Sequence, residues 1–495
     1  MYPYRLIFIP QHTTPNKEMK NKKLFFILPF ILLGGLFLLF LYHSLIIIDY
    51  PFIIDEDESY LFPAADFIHN GELPYMDIYK DPFFYTNEYP PVYSMITAAF
   101  FPLFGKKIII GRIISLISTT LISIIAYKII KQKTKNKILS IFGFLVTITS
   151  YFMFMLARLY KVDALAMFFT ILGIYFILNH TKKNNIYLAA LSFILAFYTK
   201  QTFIAAPIAS FIFIFIKNKR KSIRFAISYI IPLTFTLILL TIITKGQYFL
   251  HTIVYTAQLG KFYFGALEDF IILFPILILL TIYYITTNIR NILSIYFLTA
   301  IITNLLQLSK IGASTYYLFE LSIILTIISC ISINILLKKG QKNPIMVASY
   351  SQIIIIILAL FQIISLNNNM VVLTPLNTKD IINKNLFADN KINKYVINAT
   401  GNVLIQEPIY NVLNDKKINF ESWVLWELQT KKIVTKQEFY NYCKKQNFSL
   451  IAYYDEFDLI EGFKECLNIK YKKIETIPKI SFVYGKTQNW SIYKK

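Results

Sequence analysis

The chain has 495 residues, of which 56% are hydrophobic and only 16% charged, with a formal net charge of +22. A soluble chain of that length needs about a quarter of its residues charged to cover its surface, so a set of soluble domains is excluded. Apolar runs of about 18 residues or more recur from Leu24 to Leu366, each long enough to cross a hydrocarbon layer of about 30 Å, which marks a polytopic membrane protein. The positive charge does not indicate nucleic-acid binding. Ile, Asn, Lys, Phe and Tyr are abundant throughout, and the lysines gather in short loops between apolar runs, as the positive-inside rule requires.

In chain order, a basic N-tail (residues 1–23) leads into a first span at 24–48. That run is too long for the apolar core of a cleavable signal. A polar segment at 49–91 follows, with ten carboxylates (Asp49, Asp55, Glu56, Asp57, Glu58, Asp66, Glu72, Asp77, Asp81 and Glu88) against the single Lys80. It is expected outside, opposite the basic tail. The apolar stretch 92–104 is too short to cross and is expected to be an interfacial helix. Treated so, every later basic loop falls inside. The remaining spans are expected near 108–130, 138–156, 164–179, 186–199, 202–216, 225–243, 270–287, 291–308, 316–337 and 344–366, eleven in all. Beyond 366 a polar linker opens a small α/β domain on the outer face, within 367–495. There "NVLIQEP" and "SLIAYYDEF" read as strands, "TKQEFYNYCKKQN" as a helix capped by Thr435 with Glu438 completing the box, and "SFVYGKTQNWSIYK" as a closing hairpin. Cys443 and Cys466 in this domain form either a disulfide in an oxidising compartment or two free thiols; Cys330 lies in a span.

The acidic residues carry the sharpest functional signal. Of 28 Asp and Glu, ten are in the first outer loop and thirteen lie beyond residue 375. The remaining five are Glu18, Asp163, Glu268, Asp269 and Glu320, and all but Glu18 fall near the outer ends of spans. Ionisable groups at such depth mark functional sites by default. Asp and Glu contribute little to topology, so the "DEDE" run just after the first span calls for a chemical reason.

The segments "IIDEDESYLFPAADFIHNGELPYMDIY", "YPPVYSMITAAFFPLFG" and "GRIISLIS" resemble the membrane glycosyltransferases of the fold-C superfamily. The nearest branch is the bacterial relatives of dolichyl-phosphate-mannose protein mannosyltransferase and of the lipid A aminoarabinose transferase. Their pattern places an Asp-Glu pair seven residues before an Ala and thirteen before a Gly. Here that selects Asp57–Glu58, with Ala65 and Gly71; Asp55–Glu56 is out of register. "RLYKVDALAMFF", "YTKQTFIAAP" and "GASTYYLFELS" are weaker matches, and Lys161 stands where the family more often has Arg. The resemblance covers about 40–337, with 49–107 as the catalytic outer loop of a membrane domain spanning 24–366. It implies an inverting transfer of a sugar from a polyprenyl-phosphate donor to an acceptor on the outer face of a bacterial inner membrane.

The residues fit that chemistry. Transfer needs a general base at the acceptor hydroxyl, for which Asp57 is the candidate, with Glu58 orienting it and Asp55 beside it. The leaving phosphate needs fixed cations. Arg158, Lys161 and Lys200 lie near outer span ends, as do Arg112 and Lys310, which read equally as interfacial anchors. Glu88, Asp163, Tyr316, Tyr317 and Glu320 complete the expected substrate-binding set. No metal is required, although paired carboxylates at Asp55 and Asp57 also suit a divalent ion. No histidine or cysteine spacing indicates a metal site. The alternative function is a transporter or flippase for lipid-linked sugars, but such proteins break spans with Gly or Pro near the midplane. Here Gly is scarce and the polar groups gather on one face.

Overall fold

A computed structural model describes residues 15–80, 84–182, 184–340, 375–419, 422–454, 460–468, 471–480 and 487–495. The described chain is a helical bundle carrying a small mixed α/β unit. In the bundle the helices are α1 (Pro15–Ile48), α2 (Glu56–His69), α3 (Val92–Phe104), α4 (Ile109–Thr134), α5 (Lys137–Ile148), α6 (Tyr151–Leu156), α7 (Val162–Leu178), α8 (Asn185–Thr199), α9 (Ala205–Lys217), α10 (Lys219–Ile243), α11 (Gln247–Phe249), α12 (Phe264–Leu273), α13 (Pro275–Asn288), α14 (Ile292–Gln307) and α15 (Phe319–Gly340).

Four described helical stretches are long and apolar enough to cross a membrane alone: Ile27–Ile48, Ile109–Thr134, Lys219–Ile243 and Thr315–Lys339. Six more apolar helices have 10–17 residues, among them α3, the expected short helix. Two expected spans are broken. The run 138–156 divides into α5 and α6, because Thr149 caps the first helix and Ser150, with extended backbone, opens the second. The run 270–287 turns through 84° between α12 and α13, where Pro275 starts the new helix. Proline suits a first helical position, where its missing N–H leaves no bond unmade. The span expected at 344–366 lies outside the described residues. Helix α10 shows what faces lipid: its apolar window has none of its residues buried, and Ile227, Ile231, Phe235 and Ile242 point outward.

The C-terminal unit has α16 (Pro375–Ile397), β1 (Asn402–Ile405), α17 (Ile409–Leu413), α18 (Ser422–Thr430), α19 (Lys436–Lys445), β2 (Phe448–Tyr454), α20 (Phe463–Asn468), β3 (Lys472–Ile480) and β4 (Thr487–Lys494). Its sheet has the order β1-β2-β4-β3, with β1 parallel to β2 and the other pairs antiparallel. Both expected strands and the α19 helix are present, and Thr435 and Glu438 form a reciprocal capping box. The closing pair joins β3 over 472–480 to β4 over 487–494; the start of the expected hairpin, 481–486, lies outside the described residues. Pro478 fits there because β3 is an edge strand and needs no ladder bond on its free side. Cys443 and Cys466 are joined in a disulfide between α19 and α20, whereas Cys330 is a buried free thiol.

The unit is fused to the bundle through a common core. Ile47, Phe52, Ile53 and Tyr93 pack in one cluster with Val396, Val403, Tyr410 and Trp490. A buried polar knot lies at this seam. Tyr50 and Tyr410 both donate hydrogen bonds to Asp389, and Lys479 Nζ is 2.9 Å from Asp389 Oδ1. The acidic loop after α1 is thereby held between the bundle and the sheet.

Candidate active site

A cavity of about 940 Å³ lies between one end of the helical bundle and the C-terminal unit. Its floor is built at helix starts. Asp55 is the N-cap of α2: its backbone is extended and its carboxylate accepts from Asp57 N at 3.0 Å. That cap fixes the first turn and turns Asp57 toward the cavity. Lys161 precedes α7 in extended conformation, with Asp163 in the first turn, and Lys200 follows the last turn of α8.

These groups meet in pairs. Lys161 Nζ lies 2.5 Å from Asp57 Oδ2 and 3.4 Å from Asp55 Oδ1, over the Tyr316 ring at 3.6 Å from its centre. Lys200 Nζ is 2.6 Å from Asp163 Oδ1, with the Tyr317 ring 5.1 Å away. Asp57 is the accessible carboxylate of the first pair, its side chain 33% exposed against 11% for Asp55. Burial pushes the Asp55 carboxyl up to about 6, against the pull of Lys161 and with repulsion from Asp57 adding to the rise. Burial alone would lower the Lys161 ammonium, but Asp55 and Asp57 outweigh it and hold it well above the usual lysine range.

Across the cavity, α18 of the C-terminal unit brings Glu427 and Lys431 over the bundle. Lys431 pairs with Glu427 and lies 3.5 Å from Glu88 Oε1. Burial and the nearby Glu88 charge raise the Glu427 carboxyl to about 8. The approach is close: Gly312 has φ +77°, and a β-carbon there would collide with the Glu427 carboxylate. Lys310 and Lys261 also line the cavity and form no ion pair among the described residues. Burial and then the Lys200 charge lower the Lys310 ammonium. At the rim, Leu259, Tyr263 and Phe264 are exposed, and Leu259 bridges to Lys310.

The cavity thus gathers Asp55, Asp57, Glu88, Lys161, Asp163, Lys200, Tyr316 and Tyr317 from the expected set. Three others are elsewhere, for definite reasons. The Glu58 carboxylate is fully buried and bound by Arg112, with Nε to Oε1 at 2.9 Å and Nη2 to Oε2 at 2.8 Å. It also accepts from Ile54 N at 2.7 Å and Tyr160 N at 2.8 Å, so it has nothing left for a substrate. Arg112 further donates to the carbonyls of Ile47, Tyr50 and Phe52, which makes it a buried loop clamp and not an interfacial anchor. Arg158 is buried behind Met155, with Nη2 3.3 Å from Sδ, and is not part of the lining. Glu320 lies inside the bundle, accepting from Tyr296 Oη at 2.7 Å and Asn304 Nδ2 at 3.4 Å. Conversely, Trp426, Glu427 and Lys431 escaped the sequence reading, because only tertiary packing brings the C-terminal unit to the cavity.

Comparison with known proteins agrees with this architecture. Residues 88–244 match the family model for dolichyl-phosphate-mannose-protein mannosyltransferase. That stretch includes Glu88, Arg112, Lys161, Asp163 and Lys200. The fold matches the crystal structure of ArnT from Cupriavidus metallidurans bound to undecaprenyl phosphate, with a TM-score of 0.61 at 10% identity, over 92% of this chain and 98% of that one. The apo state of the same protein gives a TM-score of 0.60 at 10% identity, over 93% and 98%. The chain therefore shares the fold of that protein. The likeness extends across both the bundle and the C-terminal unit, beyond the part legible as resemblance in the sequence. No curated protein matches by sequence. Within this fold, the cavity lies where helix starts from the bundle meet the appended unit. Among the described residues no cluster of three His, Cys, Asp or Glu side chains is arranged to hold a metal ion.

Proposed function

We propose that this chain is a membrane glycosyltransferase that moves a sugar from a polyprenyl-phosphate donor to a hydroxyl-bearing acceptor at the outer face of a bacterial inner membrane. The observation that carries the reading is Asp57: an accessible carboxylate, held by Lys161 and a helix cap, facing a cavity also lined by Lys310 and Lys261, which form no ion pair among the described residues.

The reaction assigns each group a task. The acceptor O–H gives its proton to Asp57, and the acceptor oxygen forms a bond to the anomeric carbon. The bond from that carbon to the phosphate oxygen breaks, and the phosphate leaves with the electron pair. Its added negative charge falls on Lys310, with Lys261 on the same cavity wall to share it. Attack from the side opposite the phosphate inverts the anomeric centre. Lys161 keeps Asp57 oriented, and Asp55 holds the turn on which both depend. The apolar rim at Leu259, Tyr263 and Phe264 suits a prenyl tail that stays in the bilayer while its headgroup enters. The disulfide suits an oxidising outer compartment. The step needs no metal, and the Lys161 ammonium already occupies the place between Asp55 and Asp57 where a divalent cation would be held.

A transfer assay on the purified chain tests this. Supplied with polyprenyl-phosphate sugars and envelope extract, the wild-type protein should release polyprenyl phosphate and label an acceptor. General-base catalysis is typically worth about 10²–10⁴-fold, so Asp57→Asn should lose activity on that scale. Equal donor turnover by wild type and Asp57→Asn would overturn the assignment.

A further inference from the structure

A second concavity, of about 420 Å³, lies at the opposite end of the bundle from the cavity. The helices themselves fix its position. Helix α7 begins beside Lys161 and Asp163 and ends at Leu178; α9 begins after Lys200–Thr202 and ends at Lys217; α14 ends near Lys310 and begins after Asn291. Leu178, Lys217 and Asn291 all line the second concavity, as do Lys133 at the end of α4 and Arg290 just before α14. It therefore lies at the face expected to be cytoplasmic, where the ends of α4, α7, α9 and α13 meet the start of α14.

Its chemistry is one-sided. Lys133, Lys217 and Arg290 line it together with His180, no carboxylate is among its lining residues, and none of the three cations forms an ion pair among the described residues. Lys217 Nζ is placed over the Phe213 ring at 4.3 Å, and the same ring meets His180 at 5.8 Å, so Phe213 orders both. The start of α14 adds backbone N–H groups, with Asn291 Oδ1 capping Leu293 N at 3.1 Å. The positive-inside rule explains why lysines lie on this face, but solvated lysines repel and would spread apart. Here four separate elements bring them around one hollow. Basic pockets between membrane helices on the cytoplasmic side are suited to anionic lipid headgroups.

We propose that this hollow binds a phosphate-bearing anion, contributed by the headgroup of an inner-leaflet anionic lipid, through Lys133, Lys217 and Arg290. The site is separate from the transfer chemistry, since it shares no lining residue with the outer cavity. A phosphodiester there would neutralise the converging charges and fasten the ends of α4, α7 and α9 to the start of α14.

The test uses the full chain in three settings: phosphatidylcholine vesicles, phosphatidylcholine with phosphatidylglycerol, and phosphatidylcholine with inorganic phosphate in the buffer. Thermal unfolding and native mass spectrometry of retained lipid are read for wild type, for Lys133→Gln/Lys217→Gln/Arg290→Gln, and for a control, Lys135→Gln/Lys137→Gln/Lys338→Gln. The control residues line a different hollow on the same face. Phosphatidylglycerol should raise the wild-type and control unfolding temperatures. The site variant should bind it roughly 10²-fold more weakly, three cations at their usual juxtamembrane worth. Stabilisation by inorganic phosphate alone, lost in the site variant, would keep the anion site and make the free ion its occupant. If the triple variant does not fold, Arg290→Gln alone should show the same loss in smaller measure. Equal weakening in site and control variants, or no response of the wild type to either anion, would overturn the proposal.

Discussion

Asp57 and Glu58 are neighbours in the first turn of α2, and each ends in an ion pair, yet the two pairs differ in every physical respect. Successive residues on a helix point about 100° apart, so one carboxylate faces the cavity and the other faces the core. Glu58 is sealed with Arg112, and both of its oxygens and all three guanidinium nitrogens are hydrogen-bonded. Asp57 is partly open, and it shares its lysine with Asp55. A fully satisfied buried pair has no capacity for substrate, whereas an open, shared pair does. The acidic pair therefore divides its labour: Glu58 holds the loop in place, and Asp57, partly open beside Lys161, faces the cavity.

Breaking the buried pair should have the largest effect. Glu58→Gln or Arg112→Gln leaves a buried charge without its partner, a loss of about 3–5 kcal/mol. Thermal unfolding in detergent should show it as a large fall in Tm, and a variant of near-normal stability would contradict the division. Across the cavity, Lys310→Gln should weaken donor use about 10–150-fold, the worth of a charge-assisted phosphate contact of about 1.5–3 kcal/mol. Acceptor dependence and Tm should change little; an unchanged donor KM would return Lys310 to an interfacial anchor.

Asp55→Asn should cost less than about tenfold in turnover, since an asparagine can still cap α2. Chelators should leave transfer intact, because Lys161 fills the space between the carboxylates; loss of activity with EDTA and its return with a divalent ion would contradict this. The smallest effect concerns pH. The folded Asp55 carboxyl, raised to about 6, binds its proton more tightly than in the unfolded chain. Between the unfolded value and about 6 the folded state holds more protons, so this group's contribution to stability falls as pH rises through that window and is level above it. The Tm of wild type relative to Asp55→Asn should decline from about pH 4 to about pH 6 and then stay flat. A rise over that range would mean that Lys161 outweighs burial.

Much of this arrangement was legible because it is local. The acidic loop after the first span, the short helix at 92–104, the two strands and the Thr435 cap each depend on neighbouring residues. The spans that broke did so for backbone reasons that an apolar count does not register, at Thr149–Ser150 and at Pro275. The partners of the acids were the least legible. Glu58 meets Arg112 from 54 positions away, and Glu88 meets Lys431 only because the C-terminal unit folds back over the bundle. Lys161 and Lys200 illustrate the same limit: both were expected to be free for phosphate, and both are held by aspartates, so the proposed phosphate contacts are Lys310 and Lys261.

The most direct test of the central claim is a paired measurement on Asp57→Asn and Glu58→Gln, with sugar transfer and thermal unfolding read on the same preparations. Asp57→Asn should keep its Tm and its donor binding while turnover falls about 10²–10⁴-fold. Glu58→Gln should lose Tm, with any fall in turnover following the loss of folded protein. Near-normal transfer by a folded Asp57→Asn, or a stable Glu58→Gln without turnover, would contradict the account.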